Sequence, residues 1–160
     1  MNRSVVLALA VAVSVAIIVK FAPAMSISPL PAIIALAVFL GSGGGVPGFA
    51  RTLAAMLLGA ILMIIANIIV VQHQESLEAY RWLFFAIVAL IIMLAARVPY
   101  LSYVTAGLAG MAMAGGTPAF RPYGLLVGGS IAMGCVLGLI SDIIAGALSG
   151  SRSAAGQPVA

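Results

Sequence analysis

Residues 52–71 run for twenty positions without a charged side chain, and residues 122–141 do the same. About 20 residues of helix cross the roughly 30 Å hydrocarbon core of a bilayer, and lipid accepts only backbone that satisfies its hydrogen bonds internally. Runs such as these in a chain of 160 residues leave few folds open. The whole chain is 64% hydrophobic and 6% charged, with a mean hydropathy of +1.30, too little polar material to cover a water-soluble domain. The sequence therefore predicts an all-α polytopic membrane protein with a bilayer as its solvent.

The same scarcity of charge narrows the chemistry. Three acidic residues and one histidine leave almost nothing for acid/base pairs, metal cages or triads, so no enzyme, metal or cofactor is expected. No phosphate-binding loop is present, which excludes a nucleotide-driven machine. The net charge of +4 comes from seven scattered Arg and Lys that form no basic stripe, so nucleic acid is not an expected partner. The single cysteine, Cys135, lies in the apolar stretch Ile131 to Ile140 and reads as a small packing residue.

Apolar runs between charges and turn residues predict six spans: Ser4 to Phe21, Ser28 to Leu40, Arg51 to Val71, Trp82 to Ala96, Tyr100 to Ala114 and Pro122 to Leu148. Pro29 and Pro31 suit the first turn of the second, where no N–H is needed. Gln72 to Tyr80 is the most polar loop, and 149–160 a polar tail. Arg3, Arg51, Arg97 and Arg152 fall on one side against Lys20, Arg81 and Arg121 on the other, which puts both termini in the cytoplasm. Tyr80, Trp82, Tyr100, Tyr103 and Tyr123 sit near span ends, the headgroup level that amphipathic rings prefer. The first span has a second reading, since Arg3, an apolar run and Ala22-Pro23-Ala24 imitate a cleavable signal peptide.

An offset of 71 residues aligns Gly44-Gly45-Val46-Pro47-Gly48-Phe49 with Gly115-Gly116-Thr117-Pro118-Ala119-Phe120, and carries the second and third spans onto the fifth and sixth. The chain then reads as one six-helix domain over 1–148, made of two copies of three helices at about 4–71 and 82–148. Three is odd, so consecutive copies enter the membrane from opposite sides as an inverted repeat, a plan common among secondary transporters. Gly44, Gly45, Pro47 and Phe49 with Gly115, Gly116, Pro118 and Phe120 are candidates for shaping a path between the copies, because helix N-termini after such glycines favour anions. The competing reading makes them ordinary surface turns.

Phe39 followed by Gly44-Gly45 and Gly48, the small-residue helix Leu53 to Leu62, and Tyr103 to Gly116 with its glycines and alanines resemble the small bacterial inner-membrane proteins grouped as domain of unknown function 1097. The resemblance covers roughly Ser28 to Leu148, implies a location in the inner membrane, and assigns no substrate and no site residue. More distantly, Ala35 through Arg51 to Leu62 is similar to the first membrane half of fusaric-acid and aromatic-acid exporters, whose cytoplasmic domain has no counterpart in these 160 residues.

Two polar residues inside the spans complete the candidates. Asn67, between Ile64-Ile65-Ala66 and Ile68-Ile69, must find a partner or face a wet cavity, as interhelical glue or as path lining. Asp142 is the one acidic residue within a span, read either as a coupling carboxylate or as an interface charge pairing with Arg51 or Arg97. His73 with Glu75 is a solvated loop or a pH-sensing pair at a channel mouth, and Arg51 and Arg121 are interfacial anchors or anion attractors. Glycines and alanines at four-residue spacing, such as Gly124 with Gly128, Gly134 with Gly138 and Ala106 with Gly110, predict close helix approach. A bundle this thin favours a homo-oligomer. The functional expectation is a permease or channel for a small solute, with Asn67 and Asp142 on its path. A non-transporting subunit that packs against a larger membrane complex through outward small residues is the alternative.

Overall fold

The computed structural model describes residues 3–21, 24, 29–72, 81–95, 97–116 and 123–148. Six α-helices carry nearly all of them: α1 Arg3–Phe21, α2 Pro29–Gly41, α3 Gly45–Gln72, α4 Arg81–Ala95, α5 Val104–Gly115 and α6 Tyr123–Leu148, with a 3-10 turn at Pro99–Leu101 before α5. No strand occurs among the described residues. Two helices, α3 and the Leu126–Leu148 part of α6, are long and apolar enough to cross a membrane.

The helices are very unequal. The longest, α3 and α6, have 28 and 26 residues, whereas α2 has 13 and α5 only 12. At 1.5 Å per residue α2 and α5 are about 20 and 18 Å long, short of a bilayer core. Each is cut by its sequence. The run into α2 ends in prolines tolerated only in a first turn, and beyond Gly41 the chain turns back with Ser42 N–H on the Val38 and Phe39 carbonyls and Ser42 Oγ donating to Phe39 at 2.6 Å. The start of α5 is delayed by the Pro99 turn, and its end is closed by the Gly116 N–H on the Ala112 carbonyl at 3.1 Å.

Helix α3 begins six residues before the expected Arg51. The glycine-proline segment is its first turn rather than a connection, because Pro47 lacks an N–H that this turn has no use for. Likewise the expected start at Tyr100 belongs to the 3-10 turn, and α5 proper starts at Val104.

The two most extensive interfaces join α3 to α5 and α2 to α6. In the first, Gly59 faces the Gly107 backbone and Gly110 faces the Met56 carbonyl; in the second, Gly134 faces the Ala32 carbonyl and Gly138 lies under the Phe39 ring. Backbones approach this closely because no Cβ stands between them. One buried cluster centres on α3, α5 and α6 with Met56, Met63, Ala106, Ile131 and Cys135, and a second joins Ile18, Ala32 and Leu36 of α1 and α2. Cys135 is a buried free thiol. The outer faces are apolar too: Leu9, Val13, Ile65, Leu90, Met93 and Ile143 are all exposed.

Candidate functional site

Gly43, Gly44 and Gly45 take φ values of +91°, +74° and +69°, the left-handed region where a side chain is strained. This turn delivers the first amide of α3 to the carboxylate of Asp142: Gly45 N–H donates to Oδ2 at 2.9 Å. The charge lies at the positive end of α3, where a carboxylate is favoured, although it stands in the last two turns of its own helix, where it is not. Gly44 is required here twice over, since a Cβ would meet Asp142 Oδ2 at 2.7 Å. The anion expected at this helix terminus is therefore already present, supplied by the chain itself. Asp142 is half-buried, while Arg51 and Arg97 are exposed.

Asn67 is 3% exposed on α3 and donates from Nδ2 to the Ala114 carbonyl at the end of α5, at 3.3 Å. It thus bonds across the α3–α5 seam. Gly115 lies against the Phe85 ring and Met63, and Gly116 closes α5 with φ near −84°. Pro47 is in the first turn of α3, and Phe49 packs on the main core. Pro118 and Phe120 lie outside the described residues, as do His73, Glu75 and Arg121.

The structure does not bring Asn67 and Asp142 together. Asp142 meets α3 at its first residue, and Asn67 follows 22 residues later on the same helix, about 33 Å along its axis. They mark two ends of one seam. Asp142 holds the α2–α3 turn, and Asn67 holds the last turn of α5.

Three polar features escaped the sequence reading. Ser14 and Ser141 share a buried hydrogen bond of 2.8 Å between α1 and α6, and Ser141 also returns its hydroxyl to the Leu137 carbonyl. Tyr103, which the sequence puts near a span end, donates to the Val38 carbonyl at 3.2 Å and ties the start of α5 to the end of α2. Thr52 is fully buried with an unpartnered hydroxyl. An isolated hydroxyl in an apolar run is the only signal these share, and it does not reveal which neighbour it meets. Among the described residues no three His, Cys, Asp or Glu side chains gather as a metal site would require.

A family model described as "Protein of unknown function (DUF1097)" matches residues 8–146, from the second turn of α1 to the last of α6. The chain belongs to the DUF1097 family. The match takes in both short helices, both polar ends of the α3 seam and the glycine turn between them. No curated protein and no solved structure matches the chain.

Proposed function

We propose that this DUF1097 protein is a six-span permease or channel for a small solute in the bacterial inner membrane, built as an inverted pair of three-helix halves with both termini in the cytoplasm. The observation that carries the reading is the reciprocal packing of the halves. The long third helix of each half lies on the short second helix of the other, α3 on α5 and α6 on α2. The contact residues correspond as well. An offset of 75 residues carries Ala32, Ala35, Gly59 and Met63 onto Gly107, Gly110, Gly134 and Gly138, which are the residues at the two crossings. The same offset carries Asn67 onto Asp142. This register is one helical turn from the 71 of the shared glycine-proline motif.

Short or interrupted helices at matching places in two halves are where transporters of this plan build their path. Here they are α2 and α5, and the polar side chains at their ends are Asp142 and Asn67. The apolar outer faces of α1, α3, α4 and α6 suit lipid as their solvent, since a soluble monomer rarely exposes so much. The glycines Gly59, Gly107, Gly110, Gly134 and Gly138 are used up between helices of one chain, which favours a path within the protein over a subunit docking through outward small residues.

Solute uptake into proteoliposomes, screened over small neutral, anionic and cationic compounds, tests the proposal. Flux above empty vesicles that Asn67→Leu or Asp142→Asn diminishes is expected. Absence of flux for every solute, from protein shown to be folded and inserted, overturns it.

A further inference from the structure

We propose that the groove between α1 and α6 holds one acyl chain of a phospholipid of the cytoplasmic leaflet, with an anionic headgroup at the Val6–Leu148 end. The groove has a volume of about 310 Å³ and runs from Val6 to Ile17 on α1 and from Leu137 to Leu148 on α6. Ser14 pairs with Ser141, and the cluster around Ile18 takes in Met133 and Leu137, so the two helices are antiparallel and Val6 shares an end with Leu148. Leu9, Val13, Ile140 and Ile144 are exposed along it, which opens the groove on the outer face. Among the described residues its one polar lining residue is Ser14, whose hydroxyl is bonded to Ser141, so the lining offers hydrocarbon.

Its dimensions decide the occupant. From Val6 to Ile17 the helix rises about 17 Å, close to the roughly 15 Å of hydrocarbon that one leaflet contributes. Spread over that length, the volume corresponds to a channel about 5 Å across. A methylene chain in van der Waals contact at about 3.5–4.0 Å fills such a width, whereas a helix with its side chains is about 10–12 Å across. The groove therefore fits a lipid tail and is too narrow for a helix of a second copy.

The other half shows which residues make the groove. An offset of 74 residues carries the buried Ser14 and Ile18 of α1 onto the buried Val88 and Ile92 of α4. It carries Ala10 and Val11 onto Phe84 and Phe85, which pack on the main core, with the Phe85 ring against Gly115. Smaller side chains thus stand on α1 where aromatic rings stand on α4. A flexible hydrocarbon chain lying along α1 supplies the contacts that the rings supply in the other half.

Position and charge place the headgroup. The groove reaches the end of α6 at Leu148 but stops near the middle of that helix at Leu137, so only the Val6–Leu148 end lies at a membrane surface. Arg3, the first residue of α1, stands one turn before Val6, and the sequence carries Arg152 four residues after Leu148. No acidic residue precedes Glu75 or follows Asp142. Asp142 itself falls on the opposite side of α6 from Ile140 and Ile144, with its carboxylate on the Gly45 amide. Basic residues at the cytoplasmic end of a groove between membrane helices attract anionic headgroups. The proposal uses the membrane orientation proposed above and does not depend on solute flux.

The test is native mass spectrometry of the purified protein, titrated in detergent with dioleoyl phosphatidylglycerol or dioleoyl phosphatidylcholine, for wild type, Ala10→Phe, Val13→Phe, Arg3→Gln and Met93→Phe, each shown to be folded by circular dichroism. Wild type is expected to bind one phosphatidylglycerol saturably and phosphatidylcholine more weakly. Ala10→Phe copies the ring of the other half, and Val13→Phe adds one from the exposed side; each raises the half-saturating concentration by more than about tenfold. Arg3→Gln raises it about fivefold for phosphatidylglycerol and leaves phosphatidylcholine unchanged. Met93→Phe, exposed on α4, changes neither. A wild type that binds no lipid saturably, or an unchanged half-saturation in both groove variants, overturns the site, and equal affinity for the two lipids overturns the headgroup assignment. A wild-type dimer that Ala10→Phe or Val13→Phe dissociates gives the groove to a second copy and overturns the lipid. Lipid binding as expected without flux of any solute overturns the permease and leaves the groove standing.

Discussion

Replacing Gly110 by alanine is the sharpest perturbation of the α3–α5 seam. The new Cβ lands inside van der Waals contact of the Met56 carbonyl oxygen, with the Met56 carbonyl carbon and Cα at 2.8 and 2.9 Å. Ordinary contact begins near 3.4 Å, and the obstructing atoms are backbone, so no rotamer relieves the clash. The two helices must part by roughly 1 Å, which forfeits a quarter to a half of the dispersion energy of each contact along the seam. Overpacking of this kind costs about 1–3 kcal/mol, and a rigid neighbour places Gly110→Ala near the upper end, about 2–3 kcal/mol. Gly134→Ala, which drives a Cβ into the Ala32 carbonyl and to 2.9 Å from the Ala35 Cβ, should match it. Gly146→Ala is the control: nothing lies within 4 Å of its Cβ, and alanine is the better helix former by about 0.5–1 kcal/mol. The assay is reversible unfolding in mixed micelles followed by circular dichroism. The reasoning is refuted if Gly110→Ala and Gly134→Ala unfold at the same denaturant fraction as Gly146→Ala.

Asp142→Ala, by removing the acceptor of the Gly45 amide, should destabilise by about 1–2 kcal/mol, a range reduced for the partial exposure of the carboxylate, and Asp142→Asn by less; thermal melts of the two variants check the order. Gly44→Ala forces a side chain into φ +74° and against Asp142, so a loss of about 1–2 kcal/mol is expected in the same melts. Ser14→Ala and Ser141→Ala, taken with the double variant, should give a coupling of about 0.6 kcal/mol, the usual worth of an interhelical hydrogen bond in lipid; strict additivity would contradict the pairing. Asn67→Leu should cost about 1 kcal/mol through loss of its bond to Ala114, read by unfolding in mixed micelles.

Composition and apolar runs told most of the fold, because an all-helical chain in a polar-poor sequence has few alternatives. Helix boundaries were within a residue or so except at α3 and α5. Both differences come from proline: Pro47 opens a helix ahead of the expected start at Arg51, and Pro99 builds a 3-10 turn over the expected start at Tyr100. The shortness of α2 was visible in its Gly41 to Gly45 terminus, and that of α5 was not. At the candidate site, the sequence singled out Asn67 and Asp142 as polar residues that need partners, but the partners are a carbonyl and an amide. Every residue has those groups, so no side-chain pattern points to them. Thr52 was passed over for a related reason: a threonine in a helix is presumed to bond its own backbone, and only the three-dimensional arrangement reveals that this one does not.

The central claim is that two halves of opposite orientation make one membrane domain, and the two glycine turns test it most directly. In a Cys135→Ser background, single cysteines at Ser42 and at the exposed Gly116 are labelled with a membrane-impermeant maleimide, in intact cells and after permeabilisation. An inverted pair predicts that one turn labels from outside the intact cell and the other only after permeabilisation. Both turns labelling from the same side would contradict the account.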